Sequence, residues 1–144
     1  MKKKNNKGFT MVELLAVITF IGILATVAIP AVYRYATRAR NTSIETMLKS
    51  TYEAAETYVM EKNIVLSSTN KTYTIKVKDL VDLKYLEPLY DPATNDGSRC
   101  DTSTSSIVTV TYVNTTKGGI INYTYDITLA CSQSGTKTAK FPKS

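Results

Sequence analysis

The residues best placed for chemistry lie near the start of the chain, between Lys7 and Leu14. Gly8 is followed by the apolar aromatic Phe9, and the carboxylate of Glu13 stands four residues after Phe9. Because glycine has no Cβ, the backbone at Gly8 can enter a narrow site such as that of a protease. The plainer interpretation of Gly8 is a loop glycine that precedes a helix.

Glu13 is an acidic residue at the edge of a long apolar run. From Leu14 to Val32, 19 consecutive residues carry no charged side chain. A carboxylate at the edge of such a helix is costly in lipid and normally has a partner. The plainer alternative is an acid that reaches out to the water at the membrane edge.

The apolar run predicts a membrane-spanning helix. At about 1.5 Å per residue its length is roughly 28 Å, close to the thickness of the bilayer hydrocarbon. Aromatic and basic residues follow it, as is typical of a membrane–water boundary: Tyr33, Arg34, Tyr35, Arg38 and Arg40. Gly22 and Pro30 interrupt the run. Pro30 lacks an N–H and clashes with the preceding turn, which predicts a kink, although membrane helices also simply tolerate both residues.

A second, amphipathic pattern continues directly from the first, between Asn41 and Lys62. Its apolar side chains recur at spacings of three and four: Ile44, Met47, Leu48, Tyr52, Ala55, Tyr58 and Val59. We therefore predict one helix over residues 9–62, with a transmembrane part at 9–32 and an amphipathic part at 33–62.

Residues 63–144 are predicted to form a small head domain with an antiparallel hairpin. The predicted elements are a strand at 73–77, a short helix at 79–86 capped by Asp79, a loop at 91–101, and strands at Ile107–Val113 and Ile120–Leu129 joined by the loop Thr115–Gly119. The polar tail from Ser132 is expected to be loosely held, although Phe141 could pin it down. The fold class is therefore α+β, with a long helix packed on a small antiparallel sheet.

Composition excludes several function classes. The chain has no histidine, which removes histidine-based catalysis and most zinc sites. No nucleophile–base pair or metal cluster is evident, so neither an enzyme nor a bound cofactor or metal is predicted. The net charge is +6, but residues 1–8 hold four of the lysines, and 6 − 4 leaves +2 on the rest. Without a basic stripe in the body of the chain, no direct nucleic-acid binding is predicted.

The stretch from Lys7 to Leu14 resembles the N-terminal motif of type IV prepilins and pseudopilins, and the resemblance is close over about residues 1–35. It implies that residues 1–8 are a leader peptide and that prepilin peptidase cuts between Gly8 and Phe9 and methylates the new amine of Phe9. It also implies that Glu13 pairs with the Phe9 amine of an adjacent subunit. In this family the helix around Gly22 and Pro30 can lose order in the filament.

The two cysteines, Cys100 and Cys131, would usually pair in a secreted domain, whereas in the cytosol they would remain free thiols. Related pilins use such a bridge to fix a C-terminal loop, which implies a Cys100–Cys131 disulfide here. Polar residues in this loop could bind calcium, but their spacing does not match an EF-hand and is first a turn signal: Asp91, Asn95, Asp96 and Asp101.

The resemblance implies a structural subunit of a type IV pilus, held in the cytoplasmic (inner) membrane before assembly and exposed on the cell surface afterwards. The implied partners are other pilin subunits in a filament, prepilin peptidase and the pilus assembly platform. One alternative is a pseudopilin of a type II secretion or competence system. An alternative of another class is a secreted or single-span-anchored binding domain, cut by signal peptidase after Ala28.

Overall fold

The computed structural model describes residues 9–113 and 122–142. The predicted leader, residues 1–8, and the predicted hairpin loop Thr115–Gly119 lie outside them. The described elements are α1 (Met11–Glu61), β1 (Thr72–Lys76), α2 (Val77–Asp82), β2 (Ile107–Val113), β3 (Asn122–Cys131) and β4 (Gly135–Phe141). The four strands form one antiparallel sheet in the order β1-β2-β3-β4. The predicted α+β fold, with a long N-terminal helix and a C-terminal antiparallel sheet, is confirmed.

The chain divides into two compact units, the first ending at Ala39 and the second beginning at Arg40. In the first unit, the large apolar side chains of α1 are exposed, including Phe20 at 63% and Ile23 at 68%. This segment makes α1 the one helix of the described chain that is long and apolar enough to cross a membrane, as judged by length and composition. The α-helix is unbroken through Gly22 and Pro30, and the kink remains a prediction.

In the second unit, one face of α1 supplies the helical side of the core. Its buried residues follow the predicted helical spacing and add two that the apolar pattern did not include: Ile44, Met47, Leu48, Thr51, Ala54, Ala55 and Val59. Thr51 is fully buried. Its hydroxyl donates to the carbonyl of Met47 at 2.7 Å, and this hydrogen bond allows the polar group to lie inside the core.

The sheet supplies the other side of the core through alternate residues of its central strands. Val108 and Val110 of β2 and Tyr125, Ile127 and Leu129 of β3 are buried, as the period-two pattern predicts. The two strands pair in register from Ile107 opposite Thr128 to Val113 opposite Asn122.

The prediction of a loosely held tail from Ser132 is wrong. Residues 135–141 form β4, which pairs with β3 from Gly135 opposite Cys131 to Phe141 opposite Tyr125. Gly135 adopts φ +70°, a conformation that glycine reaches without strain and that the tight connection to β3 uses. The ring of Phe141 is buried and stacks on Tyr52 of α1 at 4.9 Å between centroids.

The short helix also differs from its prediction. Asp79 does not cap it but lies in its first turn, because the helix begins at Val77, directly after β1. Lys76 holds the capping position without a side-chain hydrogen bond. The helix ends at Asp82 rather than at Leu86, since Lys84 takes a left-handed conformation with φ 65°.

Candidate functional site

The start of α1 carries a reciprocal set of hydrogen bonds between Thr10 and Glu13. The helix begins at Met11, so Thr10 is the residue that caps it. The Thr10 hydroxyl accepts from the backbone N–H of Glu13 at 3.2 Å. In return, the Thr10 N–H and hydroxyl both donate to Oε2 of Glu13, at 2.8 and 2.9 Å. This is a capping box, in which two residues satisfy the free N–H groups of a helix end.

The capping box fixes the position of the Glu13 carboxylate. Its Oε2 accepts two hydrogen bonds, whereas within residues 9–113 and 122–142 no donor contacts Oε1. Phe9, two residues before the helix, is 84% exposed. A carboxylate with one oxygen fixed and the other free can accept a cationic group such as an ammonium.

Sequence reasoning singled out Glu13 but missed Thr10. The signal was present, because Thr10-Met-Val-Glu13 has the S/T-x-x-E spacing of a capping box immediately before an apolar run. Of the other predicted site residues, Gly8 lies outside the described part of the chain, and Gly22 has open space around its Cα.

A second cluster of functional candidates is the loop before β2. Cys100 and Cys131 form a disulfide, with their Cα atoms 4.3 Å apart, and both are buried. The bridge joins this loop to the last residue of β3. Ser106 adds a further link, because its hydroxyl donates to the Cys100 carbonyl and accepts from the N–H of Ala130 at 2.9 Å.

Asp91 ties the same loop to the turn between β3 and β4. Its side chain is buried, and its Oδ2 accepts from the backbone N–H groups of Gln133 at 2.8 Å and Ser134 at 3.1 Å. Its Oδ1 accepts from the Ser134 hydroxyl and from the N–H of Ala93 at 3.0 Å. Burial alone would raise the pKa of Asp91, but these hydrogen bonds together hold the pKa well below its usual range.

The other buried acid of the loop, Asp101, is also used internally. It accepts from the N–H of Leu89 at 3.0 Å and forms an ion pair with the guanidinium of Arg99. Among the described residues, the one grouping with metal-ligand chemistry is Asp91 with Cys100 and Cys131, whose sulfurs are consumed by the disulfide. The acidic residues considered for calcium are not brought together as a cluster in that part of the chain.

Asp91→Asn should destabilise the protein by about 2–3 kcal/mol at pH 7, because the amide NH2 cannot accept hydrogen bonds and so leaves part of the five donors around this side chain without an acceptor. The pKa of Asp91 is lower in the folded state than its ordinary value of 3.8. Its contribution is therefore present above about pH 4 and lost as the pH falls further. The difference in free energy of unfolding between wild type and variant, measured by urea unfolding of the full chain in detergent, should become smaller below pH 4.

The matched control is Asp126→Asn, which removes an exposed pair with Lys140 at 3.6 Å. Its effect at pH 7 should stay below about 1 kcal/mol. Equal losses in the two variants, or a gap for Asp91→Asn that does not change between pH 7 and pH 3, would contradict the proposed role of the buried carboxylate.

Comparison with known proteins finds one matching motif and several relatives that match part of the chain. The profile of the prokaryotic N-terminal methylation motif matches residues 3–29. The type IV major pilin protein PilA of Myxococcus xanthus is 40% identical over 58 residues, which cover 40% of this chain and 26% of that protein. A fimbrial protein of Pseudomonas aeruginosa is 42% identical over 69 residues, 47% of this chain and 45% of that protein.

The type IV wide pilus major component PilA4 of Thermus thermophilus is 35% identical over 75 residues, 52% of this chain and 57% of that protein. The matched region thus covers between about a quarter and somewhat over half of the length of these relatives. No solved structure matches the chain.

Proposed function

We propose that this chain, which carries the prokaryotic N-terminal methylation motif and is similar over about half its length to type IV pilins, is a structural subunit of a surface pilus. One observation carries the proposal: the methylation motif leads directly into an exposed apolar helix whose first turn presents the Glu13 carboxylate. Apolar surface of this extent needs a cover, which lipid supplies before assembly and neighbouring helices supply in a filament.

In this proposal the chain is organised as a leader at 1–8, a filament core at 9–32, an amphipathic segment at 33–62 and a head at 63–144. Prepilin peptidase cuts between Gly8 and Phe9 and methylates the amine, while the helix lies in the cytoplasmic membrane. The assembly platform then transfers the subunit to a filament of pilin copies on the cell surface. Gly22 and Pro30 are the points at which the core helix bends or loosens.

The capping box gives Glu13 a defined role in this sequence of events. Thr10 holds Oε2 by two hydrogen bonds and so orients the carboxylate, while Oε1 accepts the Phe9 ammonium of the next subunit. In apolar surroundings an ion pair is favourable only when its geometry is well matched and its remaining hydrogen-bonding groups are satisfied. Thr10 is therefore a positioning residue for subunit pairing.

Processing gives the direct test of this function. The mature protein should begin at Phe9 and carry one methyl group on its amine, as read by intact mass and N-terminal peptide mass spectrometry. Gly8→Val should accumulate as the uncut precursor, because a β-branched residue at the cut restricts the backbone that the protease must bind. A mature N-terminus near Ile29, left by signal peptidase, would instead identify a secreted domain with an ordinary signal peptide.

A further inference from the structure

The first unit ends in a patch of unpaired positive charge. Arg34 and Arg38 lie one helical turn apart on α1, and both side chains are exposed. With Ala31 and Tyr35 they line one face at the spacing i, i+3, i+4 and i+7, around a shallow cavity of about 250 Å³. Within the described ranges, neither arginine has an ion-pair partner.

This patch lies at a defined distance from Glu13. Arg34 is 21 residues beyond Glu13 on the same helix, which corresponds to roughly 31 Å of rise. The residues between them carry no charged side chain. A helix with Glu13 at one edge of the hydrocarbon therefore places Arg34 and Arg38 at the other edge, at the level of the lipid phosphates.

Among the described residues, no acidic side chain forms an ion pair with the arginines at this edge. The first acidic residue after Glu13 is Glu45, seven residues beyond Arg38. Arginines on the outer side of a span also run against the usual excess of positive charge on the cytoplasmic side. Two guanidinium groups without an ion-pair partner at a membrane surface attract phosphate. Arginine binds phosphate through two parallel N–H groups.

A neighbouring copy does not supply the missing anion, a step that rests on the proposed pairing of Phe9 with Glu13. That pairing sets adjacent helices four residues out of register, or roughly 6 Å. The same offset brings Arg34 of one copy level with Arg38 of the next. Adjacent subunits thus place arginine beside arginine at this level. An anion from another source is needed to offset the repulsion between them.

We propose that Arg34 and Arg38, with the Tyr35 ring beside them, form a binding site for the phosphate of an anionic phospholipid of the outer leaflet. The lipid neutralises the patch while the subunit waits in the membrane. In the assembled filament, a retained headgroup lies between Arg34 of one copy and Arg38 of the next and offsets their repulsion.

The test uses the full chain, extracted in mild detergent from vesicles of equal parts phosphatidylglycerol and phosphatidylcholine, with bound lipid quantified by mass spectrometry. Wild type should retain phosphatidylglycerol over phosphatidylcholine by roughly fivefold or more. Arg34→Gln/Arg38→Gln should show no preference, and Arg34→Lys/Arg38→Lys should keep part of it. Lys62→Gln/Lys71→Gln, which removes the same charge from exposed positions of the second unit, should behave as wild type. All variants must first give equal membrane yield and an intact disulfide.

No preference in wild type, or an equal loss in the Lys62/Lys71 control, would overturn the site. If inorganic phosphate binds the chain in pure phosphatidylcholine vesicles as well as phosphatidylglycerol binds it in the mixed vesicles, the ligand of the site is free phosphate. Loss of filaments in Arg34→Gln/Arg38→Gln with an unchanged lipid ratio would reassign it to a carboxylate of another subunit. Lipid preference and filament yield are measured separately. A protein that prefers phosphatidylglycerol but forms no filaments contradicts only the pilus function. A protein that forms filaments but shows no lipid preference contradicts only the lipid site.

Discussion

Glu13→Ala protein should be inserted, cleaved and folded like wild type, yet filaments built from it alone should fall by on the order of tenfold or more. The change removes a charge from the edge of an apolar helix, so insertion should not suffer. Its cost arises at assembly, because the Phe9 ammonium of the next subunit then enters an apolar filament core without a partner. The measurement compares mature protein in the membrane with protein in sheared surface filaments.

The capping box makes a sharper version of this experiment possible. Glutamine at position 13 can still accept from Thr10 and so keeps the helix start, but it carries no charge. Glu13→Gln should therefore assemble as poorly as Glu13→Ala. Thr10→Val, which keeps Glu13 charged but removes the hydroxyl, should assemble at an intermediate level. Normal filament yield from Glu13→Gln would show that helix capping, and not charge, is what assembly requires of this residue.

Removal of the disulfide should produce the largest loss of stability in the head. In Cys100→Ala/Cys131→Ala, two positions that are 31 residues apart in sequence are no longer linked. The loop-entropy relation gives a loss of roughly 3–4 kcal/mol in the free energy of unfolding. The measurement is urea unfolding of the full chain in detergent. Reduction of wild type should give a similar loss, and reducing agent should leave the variant unchanged.

The effect of the bridge should also be local. The loop at 91–101 should gain protease sensitivity before the strands do, because β2 and β3 keep their own hydrogen bonds. Non-reducing peptide mapping of protein from the cell surface provides the companion check. Free thiols at Cys100 and Cys131 in that material, or a stability change under about 1 kcal/mol, would contradict a structural role for the bridge.

The sequence predicts the elements that carry strong periodic patterns. Helix α1 follows from an uncharged run joined to apolar residues at helical spacing, and β2 and β3 follow from alternation. The Cys100–Cys131 disulfide is implied by the resemblance to pilins, because the presence of two cysteines alone also allows free thiols. Thr10 could also have been found, since its partner Glu13 is only three residues away.

The features that were missed depend on distant parts of the chain. Strand β4 has only Ala139 and Phe141 as apolar residues, and it becomes a strand because β3 offers it an edge. In the sequence, Asp91 is an acidic residue in a loop. The residues that donate hydrogen bonds to its carboxylate, Gln133 and Ser134, are more than 40 residues away along the chain. Such contacts exist only once the sheet has formed, so local patterns do not reveal them.

The edge position of β4 has a consequence for crowding. Among the described strands, β4 has a neighbour on one side only, which makes its outer edge a template on which a strand of another head could add. In the proposed filament, the heads would be tethered close together, at effective concentrations of about millimolar or above. Lys137 on β4 opposes strand-to-strand association, since two such edges would bring two ammonium groups together, whereas Lys140 is already paired with Asp126. The heads can then be densely stacked without fusing into a continuous intermolecular sheet.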